Sequence, residues 1–278
     1  MNLKNLLYNS LLIAEKAGKE ILEVYQSEFY VEHKDDKSPL TEADKRSHNV
    51  IQEGLTKISN FPILSEEGKE IPFEERKNWK TFWMIDPLDG TKEFIKRNGE
   101  FTVNIALINN NKPILGVVYA PVLKTYYFGA KGIGSFKLVE EKLGKFQNLE
   151  EVINNAEKLP INKKKDKIVV VASRSHMSEE TKSFIKKIEE KYREIELQSI
   201  GSSLKLCLVA EGTADFYPRL APTMEWDTAA ANAVVKEANG KVVEFQEINN
   251  IEELNKLPEL QYNKENLLNP WFVVFRKV

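Results

Sequence analysis

One stretch limits the folds open to this chain: Phe82-Trp83-Met84-Ile85 runs straight into Asp86-Pro87-Leu88-Asp89-Gly90-Thr91. Bulky, β-prone and uncharged, Thr81–Ile85 reads as a short buried strand. The residue before a proline is pushed toward extended backbone, so Asp86 continues the strand direction. Pro87 and Gly90 are then expected to turn the chain sharply. Asp86, Asp89 and the intervening carbonyls would gather at the end of that strand. Hard divalent cations take such all-oxygen sets, and Mg²⁺ uses one or two carboxylates plus phosphate and water oxygens. If Gly90-Thr91 opens a helix, its N–H groups face the same point and favour a phosphate. Asp-Pro and Asp-Gly pairs also mark ordinary solvated turns, but spacing excludes two rival sites. Pro87 fills the alternate position at which an EF-hand loop needs an acidic or amide side chain. The same proline stands where a phosphatase attacking through Asp-x-Asp-Gly-Thr would need an aspartate.

A chain of 278 residues with 42% hydrophobic content supports one large domain or two coupled halves. Forty basic residues against 42 acidic ones, with a pI near 6.1, give no ground for bulk electrostatic binding to nucleic acid. Apolar runs such as Ile168–Ala172 and Trp271–Phe275 are too short to span a bilayer, and the start of the chain lacks signal-peptide regions. The single cysteine, Cys207, lies in the apolar stretch Leu204–Ala210 and reads as a buried, inert thiol. His33, His48 and His176 are dispersed, without zinc-type spacing. A reducing, cytoplasmic location is expected, with the protein either free or peripheral at the inner membrane face.

Taken in order, Leu3, Leu6, Leu7, Ala14, Ala17, Ile21, Val24 and Tyr25 mark an amphipathic helix over 3–26. After Pro39-Leu40-Thr41 comes a second amphipathic segment carrying Val50, Ile51, Leu55 and Ile58. Thr41 and Asp44 at its start have the spacing of a capping box, which accounts for Asp44 without any catalytic role. Phe61–Leu64 reads as a short strand ending at Ser65-Glu66-Glu67-Gly68, a second strand end that delivers carboxylates. Phe101–Ile108, Asn109–Lys112 and Pro113–Ala120 read as strand, turn, strand, and Thr125–Phe128 as a further antiparallel strand. Residues 138–166, rich in Lys, Glu and Asn, read as a connection with a short helix. Beyond it strands and helices alternate: strand 168–172, helix 178–191, strand 195–200, helix 202–211, strand 214–217, helix 226–238, strand 241–245 and strand 271–276. That alternation argues for a layered α/β architecture.

Polar groups recur at strand ends in this second half. Ser173-Arg174-Ser175-His176 and Gly201-Ser202-Ser203-Leu204-Lys205 each follow a strand and precede a helix. Hydroxyls and a lysine at a helix start can donate to an anion, though serine there is ordinarily a cap. Tyr217-Pro218-Arg219 closes another strand, where a guanidinium suits a second phosphate and a tyrosine can stack on a base. Trp226-Asp227-Thr228-Ala229-Ala230 opens a helix of small residues. Strand-end carboxylates in the first half and anion donors in the second together describe a metal-dependent phosphoryl site between them.

These motifs, in this order, resemble the inositol monophosphatase superfamily of Mg²⁺-dependent, lithium-sensitive phosphatases. Within it, Gly90-Thr91-Lys92-Glu93-Phe94-Ile95-Lys96-Arg97 resembles the CysQ-type 3′(2′),5′-bisphosphate nucleotidase branch, as do Asn98–Asn104 and the second-half motifs. The resemblance covers nearly the whole chain, except the connection at 138–166 and a loop at 246–264. It implies an αβαβα sandwich with mixed sheets and two tightly coupled halves, a metal-carboxylate half over 1–150 and a nucleotide-contacting half over 151–278. It implies that Glu66, Asp86 and the Leu88 carbonyl hold one Mg²⁺, that Asp86, Asp89 and Asp227 hold another, and that Glu66 also touches a third. Two to three Mg²⁺ per active site follow. Thr91, oriented by Asp44, would position and help deprotonate the attacking water, so the resemblance sets catalysis above capping for Asp44. Gly90 and Thr91 would receive the scissile phosphate, while His176, Ser202, Lys205, Arg219 and Asp227 would surround the nucleotide. Asn239-Gly240 departs from the Gly-Gly or Gly-Ala that tends to end the family's second signature; Asn is the next-best residue for a left-handed turn.

The expected reaction is removal of the 3′-phosphate from 3′-phosphoadenosine 5′-phosphate, with its sulfated form as a possible second substrate, giving AMP and phosphate. The alternatives are a broader inositol- or sugar-phosphate phosphatase and a non-catalytic nucleotide sensor. The expected partner is a small nucleotide, not nucleic acid, and the expected assembly a monomer or homodimer without an integral membrane segment.

Overall fold

In the computed structural model, residues 1–28, 30–33, 39–140, 142–161, 167–172, 178–192 and 194–276 are described. The chain opens with α1 (Leu3–Tyr25), the short antiparallel pair β1 (Val31–His33) and β2 (Pro39–Thr41), and α2 (Glu42–Ile58). Next come β3 (Ile63–Ser65), α3 (Phe73–Arg76), β4 (Thr81–Asp89) and α4 (Thr91–Ile95). A meander follows: β5 (Thr102–Asn109), β6 (Lys112–Ala120), β7 (Thr125–Ala130) and β8 (Gly134–Val139). Asn110 and Asn111, both with positive φ (47° and 61°), close the tight β5–β6 turn, as a twisted two-residue hairpin requires. After α5 (Leu149–Asn154) and β9 (Glu157–Lys158), strand–helix alternation sets in. It runs through β10 (Ile168–Val171), α6 (Glu179–Tyr192), β11 (Ile195–Gln198), α7 (Leu204–Glu211), β12 (Phe216–Arg219), α8 (Glu225–Glu237), β13 (Lys241–Glu244) and β14 (Phe272–Phe275).

Two sheets organise these elements. The larger has the order β3-β4-β5-β6-β7-β8-β9, antiparallel except for the parallel pair β3–β4. The smaller has the order β11-β10-β12-β14-β13 and is mixed. Strand alternation sorts the core into layers. Trp83, Ile85, Val103, Ile105 and Val117 pack against Leu7, Leu11, Ala14 and Ile21 of α1. Phe82, Met84, Ala106 and Val118 face the opposite way, onto α7 and α8, whose other side meets the second sheet through Tyr217, Val242 and Phe272. Phe184, Ile185 and Ile188 of α6 cover the far face of that sheet. The result is the expected αβαβα sandwich.

The small residues of α8 have a steric purpose. A Cβ placed on Gly116 of β6 would lie 2.0 Å from the Ala230 carbonyl oxygen and 2.9 Å from Ala233 Cβ. Helix and strand backbones therefore meet at van der Waals distance, and α8 lies directly on the sheet that carries β4.

Several expectations need correction. Pro87 does not turn the chain: β4 runs on to Asp89, and the turn comes at Gly90, with φ of 94°. The 138–166 connection is more structured than its composition suggests, since it holds a 3₁₀ turn (Leu143–Lys145), α5 and β9, while β8 ends within it. β9 pairs with β8, so the larger sheet itself extends past residue 150. Cys207 is buried as expected, and Asn239 takes the left-handed turn (φ 61°) that its position demands.

Candidate active site

The site forms where β3 and β4 end. Because the two strands are parallel, with Ser65 opposite Ile85, their next residues are delivered side by side. Glu66 N–H donates to the Ile85 carbonyl (3.3 Å), which holds Glu66 beside Asp86. Asp86 and Asp89 are three residues apart and would face opposite ways on a regular strand. Opposite them on β5, however, stand Asn104 and Thr102, only two residues apart. The extra residue makes a β-bulge, which re-aims side chains and brings both carboxylates to the inner face of the sheet. Pro87, lacking an N–H, sits in this bulge, and its carbonyl accepts from Ser47 Oγ at 2.7 Å.

Asp227 arrives from the other side, in the first turn of α8, where its Oδ2 accepts from the Met224 N–H (2.9 Å). Glu66, Asp86 and Asp227 each offer a carboxylate oxygen within 4.8 Å of one another. Asp86 is 1% exposed. Burial, then the neighbouring Glu66, Asp89 and Asp227 carboxylates, pushes its pKa well above the usual carboxylate range. Burial and the Asp89 and Glu66 charges do the same to Asp227. Ionised carboxylates crowded out of water are costly unless a cation compensates them, and an all-oxygen set is what a hard divalent cation prefers. The residues fit such an ion.

Asp89 lies beside this trio and is held from the second half. Its Oδ2 accepts from Ser202 Oγ, Ser203 N and Ser203 Oγ, each at 2.6 Å. Ser203 Oγ also lies 2.7 Å from the Asp227 carbonyl oxygen and accepts from Asn104 Nδ2 (2.8 Å), while Thr102 Oγ1 and Ser202 Oγ are 2.6 Å apart. Ser202 has φ of 55°, an uncommon conformation for a residue with a Cβ and one that persists where its surroundings fix it. Gly201 N–H donates to Glu100 Oε2 at 2.8 Å. Sequence reasoning read Ser203 only as a helix-start hydroxyl, a cap or an anion donor, and gave no individual role to Thr102, Asn104 or Glu100. Thr102 and Asn104 were visible as polar positions two apart at the start of a strand that is apolar from Ile105 to Ile108.

Asp44 serves two roles at once. Its Oδ2 accepts from Thr41 N (2.7 Å) and Thr41 Oγ1 (2.6 Å), completing the capping box of α2. Its Oδ1 lies 3.4 Å from Thr91 Oγ1, which is equally far from the Leu88 carbonyl oxygen. Capping and orientation of Thr91 are therefore not rivals. Beneath α4, the rings of Tyr25, Phe94 and Phe101 pack with centroids 5.0–5.2 Å apart and anchor the turn.

A pocket extends from Asp89, Gly90 and Asp227 to Ser202, Lys205 and Arg219. Its lining holds acidic side chains (Asp89, Glu93 and Asp227) and basic ones (Lys92, Lys205 and Arg219). Lys205 is 8% exposed; its Nζ donates to the Ile200 (3.1 Å) and Ser202 (2.9 Å) carbonyls, and burial pulls its pKa down to about 8. It braces the Ser202 loop as well as lining the pocket. Arg219, last residue of β12, donates from one terminal nitrogen to the Pro222 carbonyl (2.8 Å). Its Nε is buried and has no hydrogen-bond partner among the described residues. His176 lies outside the described residues.

Residues 2–267 match the inositol monophosphatase family. The chain belongs to that family. Among its relatives in the family, the 3′(2′),5′-bisphosphate nucleotidase CysQ of Salmonella typhimurium is 44% identical over 265 residues, 94% of this chain and 96% of that protein. The CysQ nucleotidase of Haemophilus influenzae is 39% identical over 98% of this chain and 93% of its own length. The crystal structure of CysQ from Bacteroides thetaiotaomicron, described as a bacterial member of the same family, superposes with a TM-score of 0.88 at 44% identity. That match covers 100% of this chain and 99% of the other.

Proposed function

We propose that this family member is a Mg²⁺-dependent phosphatase that removes the 3′-phosphate of 3′-phosphoadenosine 5′-phosphate, releasing AMP and phosphate. The observation that carries the reading is that one pocket is lined by Asp89 and by Asp227, a member of the Glu66–Asp86–Asp227 trio, and also by Lys205 and Arg219. A substrate with two separated phosphates can engage both the metal-binding carboxylates and the Lys205–Arg219 pair, whereas a monophosphate engages only one of them. The names of the 39–44% identical relatives agree. The nearly balanced charge of the chain suits a small nucleotide better than a nucleic-acid polymer. A cytoplasmic monomer or homodimer is consistent with this substrate.

Glu66, Asp86 and the Leu88 carbonyl would hold one ion, and Asp86, Asp89 and Asp227 a second, with Glu66 also touching a third. Bound there, such ions lower the pKa of water and neutralise charge on the phosphoryl oxygens. The chain's own groups do the rest. Asp44 Oδ1, fixed by the cap bonds on its other oxygen, takes the Thr91 hydroxyl proton in a hydrogen bond. That leaves a lone pair of Thr91 Oγ1 to accept from the attacking water and aim it. The Gly90 and Thr91 N–H groups, at the start of α4, bind the scissile phosphate. Arg219 Nε, Lys205 and Ser202 hold the nucleotide and its 5′-phosphate through charge-assisted hydrogen bonds.

Asp86→Asn tests the reading. The variant removes the carboxylate at the centre of the trio and relieves its repulsion, so it should fold at least as stably as the parent. It should nevertheless fail to bind Mn²⁺ and release less than a hundredth of the phosphate. Undiminished metal binding would refute the assignment.

A further inference from the structure

Glu66 and Asp227 come from different layers, Glu66 from the connector after β3 and Asp227 from α8, yet a metal site requires them at a fixed separation. One buried assembly joins their supports. Arg76, at the end of α3, is 3% exposed. Its guanidinium donates to Asn263 Oδ1 (2.9 Å) and to the Lys264 (2.6 Å) and Glu265 (2.8 Å) carbonyls, and back to Ile71 of its own connector (3.3 Å). Asn263 Nδ2 returns a bond to the Arg76 carbonyl at 2.7 Å. The segment that Arg76 grips is also gripped by α8: Glu225, 0% exposed, accepts from Asn263 N (2.5 Å), Lys264 N (3.0 Å) and Lys264 Nζ (2.6 Å). Glu225 is two residues before Asp227. A few residues on, Asn269 Nδ2 donates to the Met224 carbonyl at 2.7 Å, which fixes the residue whose N–H orients Asp227.

We infer that Arg76 and Asn263 are positioning residues: by clasping segment 263–265 between the Glu66 connector and the first turn of α8, they set the spacing of Glu66 and Asp227 and so the affinity of the site for divalent metal. Neither residue lines the pocket formed by Asp89, Lys205, Arg219 and Asp227. A cation this deeply buried and bonded mainly to carbonyls fixes backbone geometry, because a planar fork of donors accepts only one arrangement of its acceptors. Removing the guanidinium leaves the single Asn263 Nδ2 bond to the residue-76 carbonyl to tie α3 to the segment that Glu225 holds. The inference rests on the reading of Glu66 and Asp227 as metal ligands.

The test uses the 278-residue chain as Arg76→Met, which keeps the apolar stem, and Asn263→Ala, which is the milder change if Arg76→Met does not fold. Free Mn²⁺ is followed by electron paramagnetic resonance well below each variant's Tm, and nucleotide kinetics are run across a Mg²⁺ titration. Loss of groups that orient metal ligands costs about 10–100-fold in metal affinity. That weakening is expected for Mn²⁺ in the folded variants. The Mg²⁺ half-saturation point should rise in parallel, while KM for the nucleotide at saturating Mg²⁺ stays unchanged. A merely structural role would lower Tm and leave Mn²⁺ affinity within twofold of the parent, and that result overturns the inference. Asp86→Asn is measured alongside. If it too binds Mn²⁺ normally, the ligand assignment itself has failed; if it alone loses the metal, only the clasp has.

Discussion

Substituting Gly116 by alanine is the sharpest test of how packing produces the site. The new Cβ would lie 2.0 Å from the Ala230 carbonyl oxygen, 2.8 Å from its carbon and 2.9 Å from Ala233 Cβ. Ordinary contact needs well over 3 Å, and the first two neighbours are helix backbone, which cannot swing aside as a side-chain end can. α8 must therefore lift from β6 by roughly an ångström, against a core whose density tolerates little displacement. Overpacking of this kind costs about 1–3 kcal/mol, and backbone contacts place Gly116→Ala near the upper limit. At ~2–4 °C per kcal/mol for a chain of this size, Tm should fall by roughly 6–12 °C. Because α8 carries Asp227, the Mg²⁺ concentration for half-maximal activity should rise severalfold even in protein that remains folded. Gly144→Ala is the control, since its Cβ would meet nothing within 4 Å and its φ is not positive. Calorimetric melting and a Mg²⁺ titration of phosphate release read both quantities. A Gly116→Ala enzyme with unchanged Tm and metal requirement would refute the argument that backbone contact seats α8.

Arg219→Ala should raise KM for the bisphosphate about 10–100-fold, the range for losing a hydrogen bond to a charged group, and leave KM for 3′-AMP nearly unchanged; steady-state kinetics on both nucleotides decide it. Lys205 gives a pH signature. Its folded pKa of about 8 lies below the ordinary 10.5, so below pH 8 it is charged in both states and burial penalises the native one. Between about pH 8 and 10.5 the unfolded chain binds more protons, so this group's contribution to stability rises with pH. Denaturant melts should show the parent gaining on Lys205→Met across that window, by up to ~3 kcal/mol at 1.36 kcal/mol per pKa unit; a flat difference would contradict the assignment.

The layered fold was legible because period-2 and period-3.6 patterns alternate along most of the chain, and because Glu66 and Asp86 each follow a strand. Pro87 misled for a physical reason. A proline after an apolar run reads as a strand breaker, but pairing with β5 carries β4 through it by a bulge, and nothing local announces that pairing. β8 was missed for want of continuous apolar residues, since Ser135 and Lys137 interrupt it. Asp44 was legible twice over, as cap and as partner of Thr91, but only the folded geometry shows that its two oxygens divide the roles. Ser203 reads locally as a helix-start serine, and its grip on Asp89 joins residues 114 positions apart. Arg76 and Asn263, 187 positions apart, leave no periodic or motif signal, because the clasp is built mostly from backbone carbonyls.

On the proposed reading the protein is a metal-dependent phosphatase whose pocket selects a second phosphate. The most direct test of that reading is phosphate release from 3′-phosphoadenosine 5′-phosphate beside inositol 1-phosphate and fructose 1,6-bisphosphate, each with Mg²⁺, with added Li⁺ and with Asp89→Asn. Strong preference for the nucleotide, AMP as the organic product, inhibition by Li⁺ and loss of activity in the variant are expected. Efficient Mg²⁺-dependent cleavage of inositol 1-phosphate with the nucleotide left intact would contradict the reading, keeping the carboxylate site and removing Lys205 and Arg219 from substrate recognition.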